Sequence, residues 1–415
     1  MSRSSTITCT DMFCGAGGST TGAVQAGAEV RLAINHWPRA IETHATNYPQ
    51  TDHVLADISQ ADPRRYPSTT ILLASPECTN HSLAKGKRRK GWGQQTLWSP
   101  AAPVDPAEER SRCTMWDPLR FAEYHQYQIV ILENVVDARA WRLWDAWLAV
   151  WQSLEYAWQI VYFNSMFAQP TPQSRDRMYC VFYKRNNRKP NLTFTPTAFC
   201  PSCGKDQQAV QSWKNPARPW GKYGRVGQYV YRCPVCAGEI VPYHCTAASA
   251  IDWELPVQRI KDRRKPLQAS TLRRIAQGLR RCQEAQQKVQ EKAHVSAWTA
   301  QVPLLMTLRH GELPSPPAWL MSYYRTGTLA PVTEPVGTIT TVERYALLTA
   351  QALHTLPIEE CGLRMLEPHE LQAMMAFPAS YRLTGNRHER VRQLGNAVTP
   401  PVMRMLMERC LAALA

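Results

Sequence analysis

Apolar positions along this chain fall in short blocks, separated by stretches of helical period. Residues 5–13 predict a strand, a glycine-rich turn follows, and a helix is expected over 19–28. A second strand is expected at 31–35. Pro38 then opens a helix towards Tyr48, in keeping with proline's place in a first helical turn. Short strands are expected at 53–55 and Ile71–Ala74, a long mobile loop over 85–120, and a fifth strand at 129–132. Residues 138–156 carry Trp141, Trp144, Leu148 and Trp151 at helical spacing, which reads as core packing. Strands at 158–163 and 178–183 complete the series. Strands alternating with helices predict a mostly parallel α/β sheet, with ligands at the carboxyl ends of its strands.

The pattern then changes. A polar, basic stretch at 185–190 marks a boundary, followed by a cysteine-bearing insert and a basic helical segment over 258–292. Residues 318–350 look strand-like and threonine-rich. Periodicity returns near Met365, and a last helix is expected at 401–414. The expected units are 1–189, 190–360 with the insert at about 198–240, and a segment 361–415 that returns to the first unit.

Composition adds a partner class. The chain has 415 residues and a net charge of +15, which points to a polyanion, nucleic acid first. No apolar run is long enough for a membrane span, and the first residues lack an apolar core of signal-peptide length. Thirteen cysteines, an odd number, then fit reduced thiols in a cytoplasmic protein, some of them metal ligands or catalytic.

Several polar residues fall where the predicted strands end. Gly15, Gly17 and Gly18 leave a strand and open a helix; they suit either close approach to a ligand or a tight strand–helix turn. Asp57 either accepts from an exocyclic amine or caps a helix. Cys78 is either a nucleophile or a small core residue. Glu77 beside it disfavours the thiolate, an effect His81 or the following basic run would offset. Glu133 would donate to a ring nitrogen if burial keeps it protonated; otherwise it makes a structural hydrogen bond. Arg175 and Arg177, two apart on extended chain, point to one side and suit a base carbonyl or a phosphate, or else a surface ion pair. Cys200 and Cys203, then Cys233 and Cys236, form two C-x-x-C pairs with 29 residues between Cys203 and Cys233. Four thiolates so spaced complete a closed tetrahedral Zn2+ site, structural rather than catalytic, and Gly204 and Gly238 suit its knuckle turns.

Jointly these residues resemble the DNA (cytosine-5)-methyltransferase family. The similar pieces are the stretch from Asp11 to Gly18, Ala56-Asp57-Ile58, Pro76-Glu77-Cys78, Glu133-Asn134-Val135, Gln173 to Arg177, Arg364 to Pro378, and Gln393 to Pro400. The resemblance covers about 1–185 and 360–415. It implies a Rossmann-like S-adenosylmethionine-dependent methyltransferase sheet with a second, smaller target recognition domain, here carrying a zinc ribbon. S-adenosyl-L-methionine would lie against Phe13 and Gly15, Ala16, Gly17 and Gly18, with Asp57 and Ile58 at its adenine. Pro76, Asn396 and Val398 would complete the pocket. A flipped cytosine is implied, because its ring carbon is out of reach inside a duplex. Cys78 would add to C6, Glu133 would bond N3 and the amino group, and Arg175 or Arg177 would bind the carbonyl. Ser82, Lys85, Lys87, Arg88, Arg89 and Lys90 would clamp phosphates as a closing loop.

Two departures from the family pattern stand out. Glu77 replaces the usual proline before the cysteine. No acid follows the second strand to hold the cofactor ribose, where Asn35 or His36 would substitute. The expected activity is cytosine-C5 methylation of double-stranded DNA by a monomer, and a cognate restriction endonuclease is a conceivable companion. The alternatives are transfer of a charged group from an S-adenosylmethionine analogue, an RNA cytosine methyltransferase of the same fold, and a catalytically silent DNA-binding protein.

Overall fold

The apolar blocks assemble into a seven-stranded sheet in the computed structural model, which describes residues 6–76, 114–293, 317–323, 329–350 and 357–415, without the side chains of 285–293. The strands are β1 (Thr8–Met12), β2 (Glu29–Asn35), β3 (Asp52–Leu55), β4 (Ile71–Ala74), β5 (Ile129–Asn134), β6 (Tyr156–Asn164) and β7 (Asp176–Lys184), in the order β3-β2-β1-β4-β5-β7-β6. The first five are parallel, and β7 lies antiparallel between β5 and β6. The reversal follows from the short link between β6 and β7, which holds only a 3-10 turn at Ser165–Phe167; a parallel return needs a longer crossover. Every residue of β4 and β5 is buried, which is why β4 and the first four residues of β5 read as unbroken apolar runs.

Helices α1 (Gly18–Gln25), α2 (Pro38–Asn47), α3 (Asp117–His125) and α4 (Trp144–Ser153) cover the sheet. Helix α3 corrects the expectation of a loop through residue 120. Leu119, Phe121 and Ala122 face the core, and Pro118 sits in the first turn, where its missing N–H costs nothing. The rest of that stretch, with Cys78, Ser82, Lys85, Lys87, Arg88, Arg89 and Lys90, lies outside the described residues. Helix α4 is shorter than expected because Val136–Ala140 form a 3-10 turn. Trp144, Trp147 and Trp151 are its buried face, and Trp151 stacks on Phe182 at 4.1 Å. Leu148 is only half-buried; Trp147 takes the central place, its indole N–H donating to the Met115 carbonyl at 2.9 Å.

The cysteine insert contains β8 (Thr197–Cys200), β9 (Lys205–Gln208), β10 (Val210–Trp213), β11 (Tyr229–Arg232) and β12 (Glu239–Ile240). After it come α5 (Ala269–Ala293), β13 (Ala318–Ser322), β14 (Leu329–Pro331), β15 (Tyr345–Thr349) and β16 (Gly362–Met365). The last four strands form an antiparallel sheet in the order β14-β13-β15-β16. Helix α5 begins eleven residues later than the expected 258, after a 3-10 turn at Ile260–Asp262. The chain ends in α6 (Pro368–Met374), α7 (Arg387–Asn396) and α8 (Pro400–Leu414).

The insert packs against the large sheet rather than the four-stranded unit. Its Ala198, Tyr229, Tyr231 and Ile240 share one apolar cluster with Phe163, Phe167 and Phe194 of the large sheet and its flank. Residues Ile275, Trp319, Leu348 and Leu363 of the four-stranded unit form a separate core. The physical reason is the exposed edge of β6. The insert covers it: Gln211 donates to the Tyr162 carbonyl at 2.9 Å, and the Trp213 ring meets Tyr162 edge-on at 5.7 Å.

Candidate active site and metal centre

The turn after β1 is built around left-handed backbone. Phe13, Gly15 and Gly17 have φ of 59°, 53° and 76°. Gly18 opens α1 so close to Val398 that a Cβ would stand 2.0 Å from its carbonyl oxygen. The far C-terminus therefore returns to the turn. At Gly15 the reverse holds: a Cβ would meet nothing nearer than the Phe13 carbonyl at 3.8 Å, so the turn opens onto free space. That cradle fits a ligand presenting polar groups to backbone amides. Tyr381, not anticipated from sequence, donates its hydroxyl to the Ala16 carbonyl and fixes the turn from behind.

The residues expected at the other end of this pocket lie on the same sheet edge. Asn35 ends β2 buried, and its side chain accepts from the Trp37 amide at 2.9 Å; exposed His36 follows it. Asp57 is exposed and accepts from the Ser59 amide at 3.1 Å, so it does cap a short helical turn. Ile58 is buried, and its carbonyl takes a 2.8 Å bond from Arg120. Asn396 is exposed at the end of α7.

Beneath the turn runs a chain of polar groups that sequence reading did not single out. Thr20 donates to Asp11 at 2.7 Å, His44 Nε2 lies 2.9 Å from the same hydroxyl, and His44 Nδ1 lies 2.8 Å from His53 Nε2. Since the threonine proton goes to Asp11, His44 donates through Nε2 and accepts from His53 at Nδ1. Burial pushes Asp11 up to about 7 and His44 down to about 3.

At the next strand ends stands an ion pair. Glu133, at the end of β5, lies 2.8 Å from Arg177 Nε, and both side chains are nearly buried. Arg177 also donates to the Asp176 carbonyl at 2.7 Å. Asn134 accepts from the Val135 amide at 2.8 Å and reaches the Pro76 carbonyl at 3.5 Å. Pro76, buried just past β4, is thereby tied to the Glu133 strand two residues before Cys78.

Arg175 does something other than expected. Its guanidinium donates to the carbonyls of Ile339, Gly395 and Ala397 at 2.9, 3.0 and 3.1 Å. The simple two-residue alternation fails because the β6–β7 ladder ends at the Asn164–Asp176 pair, one residue short of Arg175. Gln173 assists, accepting from the Ile339 amide at 3.2 Å. Arg177 alone of the two faces the carboxylate.

The four cysteines of the insert converge. Their sulfurs all lie within 4.8 Å of one another, with Cys200 and Cys236 at 3.4 Å and Cys203 and Cys233 at 3.7 Å. Zn–S bonds of about 2.3 Å at tetrahedral angles require sulfurs roughly 3.8 Å apart, so the donor set fits zinc. Gly204 takes the left-handed conformation at the first knuckle, φ 66°. At the second it is Ala237, φ 57°, not Gly238 as expected. The Val235 amide points at Cys233 Sγ, 3.4 Å away, a bond that would stabilise a thiolate.

Two type II methyltransferases of Herpetosiphon aurantiacus are similar over part of the chain. M.HgiDI is 35% identical over 91 residues, 21% of this chain and 29% of that protein. M.HgiGI is 35% identical over 92 residues, 21% of this chain and 71% of that protein. The aligned stretch thus spans under a third of the first relative. Among solved structures, the Dnmt2 methyltransferase of S. pombe shares the fold with a TM-score of 0.57 and 13% identity, covering 98% of this chain and 99% of that one. The family model for C-5 cytosine-specific DNA methylases matches residues 7–412, from the first strand through the returning helix α8. With both the glycine turn and the Glu133–Arg177 edge inside that span, this chain belongs to the C-5 cytosine-specific DNA methylase family.

Proposed function

We propose that this protein methylates cytosine at C5 in double-stranded DNA through a covalent adduct of Cys78. The observation that carries the reading is the Glu133–Arg177 pair at 2.8 Å, on the same strand edge as the Pro76 backbone that leads to Cys78. Cytosine C5 is a poor nucleophile. Addition of the Cys78 thiolate to C6 moves a ring electron pair to C5 and makes it nucleophilic. Glu133 in its protonated form would donate to N3 and accept from the amino group, and Arg177 would donate to the carbonyl, so charge that develops on the ring meets fixed partners. S-adenosylmethionine, held by Phe13 and Gly15–Gly18 with Asp57 and Ile58 at its adenine, supplies an electrophilic methyl group when bound. Loss of the C5 proton to a base then restores the double bond and expels Cys78. Water suffices as that base. A base handled this way is extruded from the helix first. The four-stranded unit with α5 would read the flanking sequence, and the basic run from Lys85 to Lys90 would close over phosphates.

The test is expression in a host without cytosine methylation, followed by mass measurement of its nucleosides. The wild type should yield 5-methylcytosine in DNA, and Cys78→Ala should lower it by about a thousandfold or more. A heavier cytosine derivative would instead point to a donor other than S-adenosylmethionine. Modified cytosine confined to RNA would move the substrate. No modified base in either nucleic acid would leave a silent DNA-binding protein.

A further inference from the structure

The zinc insert carries one long connection, between β10 and β11, that no step above uses. From 214 to 228 it contains Lys214, Arg218, Lys222 and Arg225 and no acidic residue. The residues just before its tip rest beside the Glu133–Arg177 pair. The Tyr223 amide donates to Asp176, the neighbour of Arg177, at 2.9 Å, and Lys222 pairs with Asp137, two residues past Val135, at 3.0 Å. Its tip is Gly224-Arg225-Val226-Gly227, where Val226 is 99% exposed. Arg225, also exposed, stands directly beside it.

The connection is held in shape rather than loose. Lys214 Nζ donates to the Gly224 and Arg225 carbonyls at 2.9 and 2.6 Å, and the Gly227 amide to Gly224 at 2.9 Å. The Gln228 amide bonds the Lys222 carbonyl at 2.7 Å, and the Arg218 guanidinium lies over the Trp220 ring at 4.2 Å. The connection springs from the β10–β11 ladder, whose far end leads into Cys233. A stiff, cationic tip with one apolar point, held beside the groups that would hold an extruded base, matches what unstacking a duplex needs: cations for the flanking phosphates and a wedge for the gap.

We propose that this connection is a duplex-engaging element, with Arg218 and Arg225 on phosphates flanking the target cytosine and Val226 inserted where that base leaves the stack. The inference rests on the function proposed above. The test compares Val226→Ser and the double variant Arg218→Ala/Arg225→Ala with wild type. Zinc content is measured throughout to show that the insert stays intact. Substrates are a matched duplex, the same duplex with the target cytosine mispaired, and the single strand.

Val226→Ser should lower turnover on the matched duplex by about tenfold and leave the mispaired and single-stranded substrates near wild type, because their base is already loose. The arginine variant should weaken duplex binding and reduce its salt slope by about one per charge removed. Equal loss on all three substrates, or no loss on the matched duplex, overturns the wedge. An unchanged salt slope overturns the phosphate contacts. Wild type inactive on every substrate would sink the underlying function instead, so the two failures are separable.

Discussion

Asp11 and His44 show how two buried groups can hide each other's cost. Burial raises Asp11 to about 7, so the folded state prefers it protonated. That contribution is fully present below the ordinary carboxylate value of 3.8 and is lost as pH rises through about 7. Burial lowers His44 to about 3, so the folded state prefers it neutral. Its contribution is present above the ordinary value of 6.5 and is lost as pH falls below it. Between the two ordinary values the slopes oppose and cancel. Asp11→Asn should therefore unmask the histidine: relative to wild type, unfolding free energy should drop by about 1.4 kcal/mol per pH unit from 6.5 down to 5. Denaturant melts of both proteins across that range decide it, and parallel curves would show that Asp11 does not titrate there. None of this was legible in the sequence, where Asp11 stood only as the first letter of a motif. Its partners Thr20, His44 and His53 come from three elements that meet only in the fold. Asp57 was legible as a polar residue at a strand end with a cap as one reading, and Glu133 likewise stood at a strand end, but its pairing with Arg177 was not legible.

Among the elements, the glycine turn and α1 depend on the C-terminal helix. Gly18 lies under the Val398 carbonyl, and Gly22 lies equally close to Met403 and the Pro400 carbonyl. Gly18→Ala should push Val398 away from the turn and weaken S-adenosylmethionine binding by about tenfold or more. Gly27, with φ 94° and open space beside it, is the control. Gly27→Ala should cost about 1–2 kcal/mol of stability through backbone strain alone and leave cofactor affinity intact. Calorimetric titration of both variants separates close approach from strain; equal affinities would mean that the contact with Val398 does not shape the pocket. The strand–turn–helix pattern was readable because apolar period changes from two to 3.6 across three glycines. Which glycine admits no side chain was not, since Val398 is 380 residues away. The zinc knuckles divide the same way. The cysteine spacing announced four ligands, yet the left-handed residue of the second knuckle is Ala237, which no composition rule would choose over Gly238.

At the scale of the molecule, Arg175 joins the parts. Its three acceptors belong to the segment leading into β15, to the last turn of α7 and to the link between α7 and α8, while its own backbone is tied to β6 through Asn164. The large sheet, the four-stranded unit and the returning C-terminus therefore share one guanidinium. Sequence reading paired Arg175 with Arg177 because a two-residue spacing was visible and the end of the ladder was not. The structure separates their tasks, and paired variants test the separation. In Arg175→Met the carbonyls of Ile339, Gly395 and Ala397 lose a charged donor in a buried setting, at a cost of about 3–5 kcal/mol. Amide exchange should rise around 339–340 and 395–399, and cofactor affinity should fall with it, because Val398 lies beside the loosened turn. Arg177→Met should leave exchange there and cofactor affinity near wild type, and should instead depress turnover, since its partner is Glu133. If Arg175→Met loses turnover while exchange and cofactor affinity stay at wild-type values, Arg175 touches the base, and the molecule is held together by other contacts.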